Sequence, residues 1–152
     1  MQTDYEIVIA DTTCFILLDK IGEMELLRSL FGQVNTTTII AEEFGAALPQ
    51  WIKINPVQNI QLPIVLDIDL GEASAIALAL EFDRCLLILD DGKGRKAARK
   101  LNLNITGTLG IFLRAKREGL IPAIRPIIEK VQNTNFRYSQ AILDEILSIA
   151  GE

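Results

Sequence analysis

A parallel β-sheet is predicted from two apolar stretches, EIVIAD at residues 6–11 and CLLILDDG at residues 85–92. Successive side chains of a strand point to opposite faces, so an unbroken apolar run fits a strand that is covered on both faces, as in parallel sheets. Each run ends in acid, Asp11 in the first and Asp90-Asp91 in the second. Parallel strands present their carboxyl ends at one edge of the sheet, where ligands bind. We therefore expect these distant aspartates to meet in one crevice.

The rest of the chain alternates strand and helix patterns. Further strands are predicted at residues 33–38, 51–54 and 104–106. Helices are predicted from Thr12 or Thr13 to Gly22, and at 24–30, 39–47, 72–81, 93–101, 107–119, 122–134 and 139–150, with residues 56–69 as a connection. Such alternation is typical of an α/β fold, here a three-layer α/β/α sandwich with a central parallel sheet and right-handed crossovers. The length favours a single domain over residues 1–152.

Composition limits the chemistry. The chain has no histidine and two cysteines, so carboxylates are the abundant ligands and acid or base groups. Cys14 and Cys85 sit among apolar neighbours and are interpreted as small buried hydrophobes. Hydrophobic residues make up 49% of the chain, which suggests apolar surface buried in a homodimer or against a partner. No apolar run approaches the roughly 20 residues that span a bilayer, and the first residues lack the basic segment of a secretory signal. We expect a cytoplasmic protein.

Basic residues are concentrated although the net charge is -5. One predicted helix carries a cluster that is a candidate RNA-binding face: Lys93, Arg95, Lys96, Arg99 and Lys100. Cations near an acidic centre suit an enzyme that holds a phosphodiester backbone. The alternative is an ordinary solvated helix face.

Asp11 and Glu43 are both predicted at positions where an acid needs an explanation. Asp11 either caps the following helix or belongs to a site, because an acid that ends a buried strand needs one of these to compensate its desolvation. Glu43 follows Ile40 by three residues and Ile39 by four, which places it on the inward side of its helix, an uncommon position for an acid. Its neighbour Glu42 is the alternative, although the same geometry turns Glu42 more toward solvent.

The other acids are equally ambiguous when each is taken alone. Glu72 lies in the first turn of a helix, where the helix dipole favours a carboxylate by about 0.3–1 kcal/mol. Asp90-Asp91-Gly92 is a good turn sequence. Either aspartate could be a ligand, and the sequence does not separate them.

Together the acids predict a metal site. Carboxylates that share a crevice repel one another and destabilise the fold unless a cation neutralises them. Oxygen ligands without histidine or thiolate favour Mg²⁺ or Mn²⁺, which can orient a water and neutralise charge on a phosphodiester. The predicted ligands are Asp11, Glu43, Glu72 and Asp90 or Asp91, and Thr13 is expected to add a hydroxyl to the hydration shell.

The chain resembles the PIN domain family of small α/β ribonucleases, and most closely the prokaryotic PIN-like proteins related to VapC toxins. The resemblance runs over nearly the whole chain. It is carried by VIADTT at 8–13, EEFG at 42–45, LGEA at 70–73, ILDD at 88–91 and GTLG at 107–110. It implies a Mg²⁺- or Mn²⁺-dependent endoribonuclease, dimerisation and a cognate antitoxin, as in a type II toxin-antitoxin pair.

Position by position, the resemblance implies that Asp11 matches the first aspartate of the family and Glu43 the glutamate of the following helix. Asp90 or Asp91 matches the acid after the later strand. Glu72 stands where most PIN nucleases have aspartate, so its carboxylate is displaced by about one bond length. The alternatives are a catalytically degenerate PIN-like module that binds protein or RNA and, less well supported, a receiver-like domain, which would have paired acids after its first strand.

Overall fold

The computed structural model describes residues 5–57 and 67–152, and in them the chain forms a five-stranded parallel sheet. The strands are β1 (Ile7–Ala10), β2 (Val34–Thr37), β3 (Ile52–Asn55), β4 (Cys85–Ile88) and β5 (Asn104–Thr106). Their spatial order is β3-β2-β1-β4-β5. The helices are α1 (Thr12–Ile21), α2 (Glu25–Phe31), α3 (Thr38–Phe44), α4 (Leu70–Ala79), α5 (Gly92–Lys100), α6 (Thr108–Arg117), α7 (Arg125–Gln132) and α8 (Gln140–Ile149). All five predicted strands are present.

The central strands are covered on both faces. Every residue of β1, β2 and β4 is buried, which requires helices above and below the sheet because alternate side chains point in opposite directions. Phe15 of α1 and Phe112 of α6 are among the largest fully buried side chains. The prediction of an α/β/α sandwich with a central parallel sheet is confirmed.

The direction of strand addition reverses next to β1. The chain proceeds from β1 to β2 and β3 on one side, and returns to β4 and β5 on the other. Ala10 pairs with Ile88, and the backbone N–H of Asp11 donates to the Ile88 carbonyl at 3.1 Å. Such a switch point opens a crevice beyond the strand ends, and Asp11 and Asp90 stand at its two sides.

Several helix boundaries differ from the predictions for local reasons. Helix α4 begins at Leu70 instead of residue 72, because Asp69 caps it. Helix α3 ends at Phe44 because Gly45 takes a left-handed conformation with φ of 77°. Helix α7 covers less than the predicted 122–134. Of the predicted connection 56–69, residues 58–66 lie outside the described residues.

Both cysteines are free and buried, as expected for small hydrophobes. In the described part of the chain, no helix combines the length and apolar character that a membrane crossing requires.

Candidate active site

Asp11 is the buried centre of an acidic cluster at the switch point. It occupies the N-cap position of α1, yet its side chain makes no capping hydrogen bond, and it is 5% exposed. Burial raises its pKa from 3.8 to about 7; the backbone N–H of Thr12 opposes this, and the charges of Asp69, Glu43 and Asp90 reinforce it. Capping therefore does not explain Asp11, whereas membership of a charged site does.

Glu72 is the second buried acid, at 6% exposure in the first turn of α4. Burial raises its pKa to about 8, and a hydrogen bond with the Asp69 carboxyl and the charges of Asp69, Asp91 and Asp11 act in the same direction. Asp69 also accepts the backbone N–H of Glu72 at 2.8 Å. Burial and these neighbouring acids therefore favour the protonated form of Glu72.

The Asp90 carboxylate is held in place by Thr108, at the start of α6. Its Oδ1 accepts the backbone N–H of Thr108 at 2.8 Å, and its Oδ2 accepts the Thr108 hydroxyl at 2.6 Å. Thr108 is fully buried at the start of α6. Two short bonds to one carboxylate set its orientation at the sheet edge, close enough to Asp11 to raise the pKa of that residue.

Asp91 has a structural role that the sequence left open. Its Oδ2 accepts the backbone N–H groups of Lys93 and Gly94 at 3.0 and 3.2 Å, so it is the N-cap of α5. Asp91 is exposed, yet its charge acts on Glu72. Of the two neighbouring aspartates, Asp90 lies on the Asp11 side of the cluster and Asp91 on the Glu72 side.

Glu43 does not face the core, and the predicted inward orientation is wrong in that respect: the residue is exposed. It reaches the neighbouring helix starts, where its Oε2 accepts the Thr12 hydroxyl at 3.1 Å and its carboxylate contacts the α-carbon region of Gly71. Glu43 therefore lies between the start of α1 and the start of α4. The hydroxyl that meets an acid here belongs to Thr12, whereas Thr13, the predicted one, lies half-buried in the same turn.

Three glycines make room for three of these carboxylates. A Cβ at Gly71 would lie 2.9 Å from Cδ of Glu43, one at Gly94 would lie 3.0 Å from Oε2 of Glu72, and one at Gly107 would lie 2.9 Å from Oδ1 of Asp90. None of these glycines has a positive φ. Their lack of a side chain is therefore required for space, and it lets acids from other elements approach the helix starts.

The cluster suits a hard divalent cation in chemistry but is not closed around one. All of its donors are oxygens, and its buried members resist ionisation, which a cation would reverse. Within residues 5–57 and 67–152, no three acidic or thiol side chains converge closely enough to hold a metal ion by themselves. Water would therefore have to supply much of the coordination, as is usual for Mg²⁺.

The basic helix α5 starts at the acidic cluster and leads away from it. Lys96, Arg99 and Lys100 are exposed, and Lys93 is exposed with its Nζ 3.4 Å from Asp67. Arg95 differs, because it is half-buried and donates to the Leu89 carbonyl at 3.1 Å. Four of the five predicted RNA-binding side chains thus lie on an open surface, and Arg95 is part of the site wall.

Sequence reasoning missed Asp69 and Thr108. A signal for Asp69 exists, since the spacing from Asp69 to Glu72 is that of a helix-start capping pattern. Thr108 lies in GTLG at 107–110, one of the segments that carry the resemblance, but its bond to Asp90 depends on the pairing of β4 with β5.

Comparison with known proteins agrees with this architecture. A family model described as DUF3368: PIN domain matches residues 7–152. No curated protein and no solved structure matches the chain. The matched region contains every element of the sheet and every acid of the cluster. The chain, which has a nuclease-type fold, therefore belongs to the PIN domain family.

Proposed function

We propose that this protein is a Mg²⁺- or Mn²⁺-dependent endoribonuclease that hydrolyses RNA phosphodiesters at the acidic cluster. The observation that carries the proposal is Asp11, a buried acid that makes no capping hydrogen bond. It lies among the charges of Asp69, Glu43 and Asp90. Such an arrangement destabilises a fold unless a ligand relieves it. Family membership supports a nuclease, and metal dependence and RNA as substrate are proposed here.

The residues that would hold the cation, directly or through water, are Asp11, Glu43, Glu72, Asp90 and Asp91. When bound, the cation supplies charge neutralisation and lowers the pKa of water. The protein's own groups do the rest. Thr108 fixes the Asp90 carboxylate, Thr12 positions Glu43, and Glu72 would orient a water once its carboxyl is ionised.

The basic residues support a nucleic-acid substrate. Lys93, Lys96 and Lys100 follow one another at spacings of three and four on α5, so they share one side of the helix. That row is about 10 Å long at 1.5 Å per residue and begins beside the acids. A single strand that lay along it would bring a phosphate to the cluster. We further propose a homodimer and a toxin-antitoxin role with an antitoxin partner, which the resemblance to VapC toxins implies.

The test is RNA cleavage by purified protein in Mg²⁺, in Mn²⁺ and in EDTA. We expect cleavage with either metal, none in EDTA, and a loss of at least about a hundredfold in Asp11→Asn, as for removal of a group that stabilises the transition state. Glu43→Gln and Glu42→Gln form a matched pair on one helix, because both acids are exposed and Glu43 is the one bonded to Thr12. Glu43→Gln should lower the rate and Glu42→Gln should not. Undiminished cleavage by Asp11→Asn would refute the proposal.

A catalytically degenerate module that binds RNA or protein is the second candidate. It is favoured by the lack, in the described residues, of three convergent ligands, and by glutamate in place of aspartate at position 72. This candidate predicts metal-independent RNA binding without turnover. Calorimetry with Mn²⁺ distinguishes the two candidates. The nuclease should bind Mn²⁺ and lose that binding in Asp11→Asn, whereas the metal-independent module should show no such difference.

A further inference from the structure

A cavity of about 400 Å³ adjoins the acidic cluster between the start of α6 and helix α8. Asp90 and Gly107 belong to both the cavity and the cluster, so a ligand could occupy the two at once. Other lining residues include Arg95, Ile105, Tyr138, Ile142 and Ile146. The volume lies within the range of about 300–1,000 Å³ that is usual for small-molecule sites.

The polar groups of the cavity stand at its boundary with the acids. A Cβ at Gly107 would be 3.0 Å from an Nη of Arg95 and 2.9 Å from Oδ1 of Asp90, so both groups border the same point. The Arg95 guanidinium has five N–H donors. Across residues 5–57 and 67–152 it makes one hydrogen bond, to the Leu89 carbonyl. Donors therefore remain for a ligand with oxygen or ring-nitrogen acceptors.

The other side chains that line the cavity are mostly apolar and include one aromatic ring. Ile142 is 45% exposed, an unusually open position for isoleucine, and it faces this space. Tyr138 is half-buried, and burial together with the charge of Asp90 raises the pKa of its phenol, which stays neutral. Aliphatic walls, an aromatic face and a planar cation are the surroundings that proteins provide for unstacked bases of single-stranded RNA.

We propose that this cavity receives one base of the RNA strand whose phosphate lies at the acidic cluster. The proposal rests on the proposed function and adds a subsite to it. A base is favoured over a peptide side chain because the cavity is continuous with the acids through Asp90 and Gly107, so a base and its phosphate would span the boundary. Arg95 then acts as a specificity-determining residue, distinct from the exposed lysines of α5.

The experiment compares two labelled single strands of about eight nucleotides, a length within the usual range of single-strand sites. One strand is oligouridylate and the other is the same ribose-phosphate chain without bases. Binding is measured by fluorescence anisotropy in EDTA, so that no turnover occurs. The variants are Tyr138→Leu and, as its matched control, Phe136→Leu, which removes a half-buried aromatic ring two residues away and outside the cavity.

We expect wild type to bind oligouridylate more tightly than the abasic strand. Tyr138→Leu should weaken oligouridylate binding by about fivefold or more, the lower end of the effect of aromatic stacking on a base. It should leave abasic binding unchanged, and Phe136→Leu should change neither. Equal loss on both strands, no loss on either, or failure of wild type to bind oligouridylate would overturn the proposal.

Cleavage assays separate this failure from failure of the nuclease itself. Suppose that RNA is cleaved with metal but wild type and Tyr138→Leu bind oligouridylate with the same affinity. The base subsite is then refuted while the nuclease stands, and a protein partner is favoured as the occupant of the cavity. If binding depends on the bases but no metal supports cleavage, the nuclease proposal is refuted and the base subsite stands.

Discussion

Replacing Asp11 by asparagine should make the metal-free protein more stable, and increasingly so as the pH rises. The folded state raises the pKa of Asp11 from 3.8 to about 7. Below about pH 4 the carboxyl is protonated in both folded and unfolded chains, so its burial carries no charge penalty. Between these values the folded state holds a proton that the unfolded state releases, and the free energy of unfolding therefore falls as the pH rises.

The magnitude follows from the two pKa values. One pKa unit corresponds to about 1.4 kcal/mol, so above pH 8 the ionised carboxylate destabilises the fold by about 4 kcal/mol. Asparagine has nearly the same shape and no charge. Its amide can also donate to the neighbouring carboxylates. The gain should be small near pH 4 and reach up to about 4 kcal/mol at pH 8.

The assay is urea unfolding in EDTA from pH 4 to pH 8.5, followed by the fluorescence of Trp51, the single tryptophan. Glu42→Gln is the control, because Glu42 is exposed and is not among the charges that act on Asp11, so its removal should change stability little at any pH. The reasoning is refuted if the difference between Asp11→Asn and wild type does not grow with pH, or if the variant is the less stable protein at pH 8. Saturating Mg²⁺ should reduce the difference in unfolding free energy between Asp11→Asn and wild type, because it stabilises wild type alone.

Three further substitutions test the site walls and the basic helix. Gly94→Ala should destabilise the protein by about 1–3 kcal/mol because its Cβ would press on Glu72. Gly92→Ala, whose Cβ would have nothing within 4 Å, should stabilise α5 slightly. Thermal unfolding of the two variants measures both effects. Thr108→Val should cost about 1.5–3 kcal/mol in chemical denaturation, since it removes a hydroxyl bonded to a carboxylate, and should also slow cleavage. Lys96→Ala should weaken RNA binding regardless of sequence and reduce the slope of log K against log salt by about 0.7 in titrations at several salt concentrations.

The centre of the site was predictable because topology alone determines it. An acid that directly follows a buried parallel strand must lie at the carboxyl edge, and the pairing of Ala10 with Ile88 brings Asp11 and Asp90 to adjacent strands. Charge pattern likewise located the basic helix. Neither inference required knowledge of a side-chain rotamer.

Other features depended on tertiary packing that a sequence pattern does not contain. Periodicity predicted an inward-facing Glu43, whereas the residue is exposed and accepts the Thr12 hydroxyl at the start of α1. The sequence pattern places Asp69 in a connection, although its side chain caps α4 and contacts Glu72. Gly94 resembled an ordinary glycine at a helix start. Its purpose appears only when Glu72, more than twenty residues earlier in the chain, is placed beside it.

The balance of stability distinguishes an active site from a degenerate one. Asp11 and Glu72 are buried with pKa values near 7 and 8, so at neutral pH each holds a proton or destabilises the fold. Glycine in the first turns of α4 and α5 lowers helix stability by about 0.5–1 kcal/mol per residue relative to alanine. A module that bound RNA through its exposed lysines alone would need neither feature, and neutral residues there would make it more stable. Both features are accounted for if a cation occupies the crevice, because it stabilises the ionised carboxylates that the glycines admit. We expect Asp11→Asn to be more stable than wild type without metal and to be inactive with metal. That result would show that one residue both destabilises the empty site and supports cleavage.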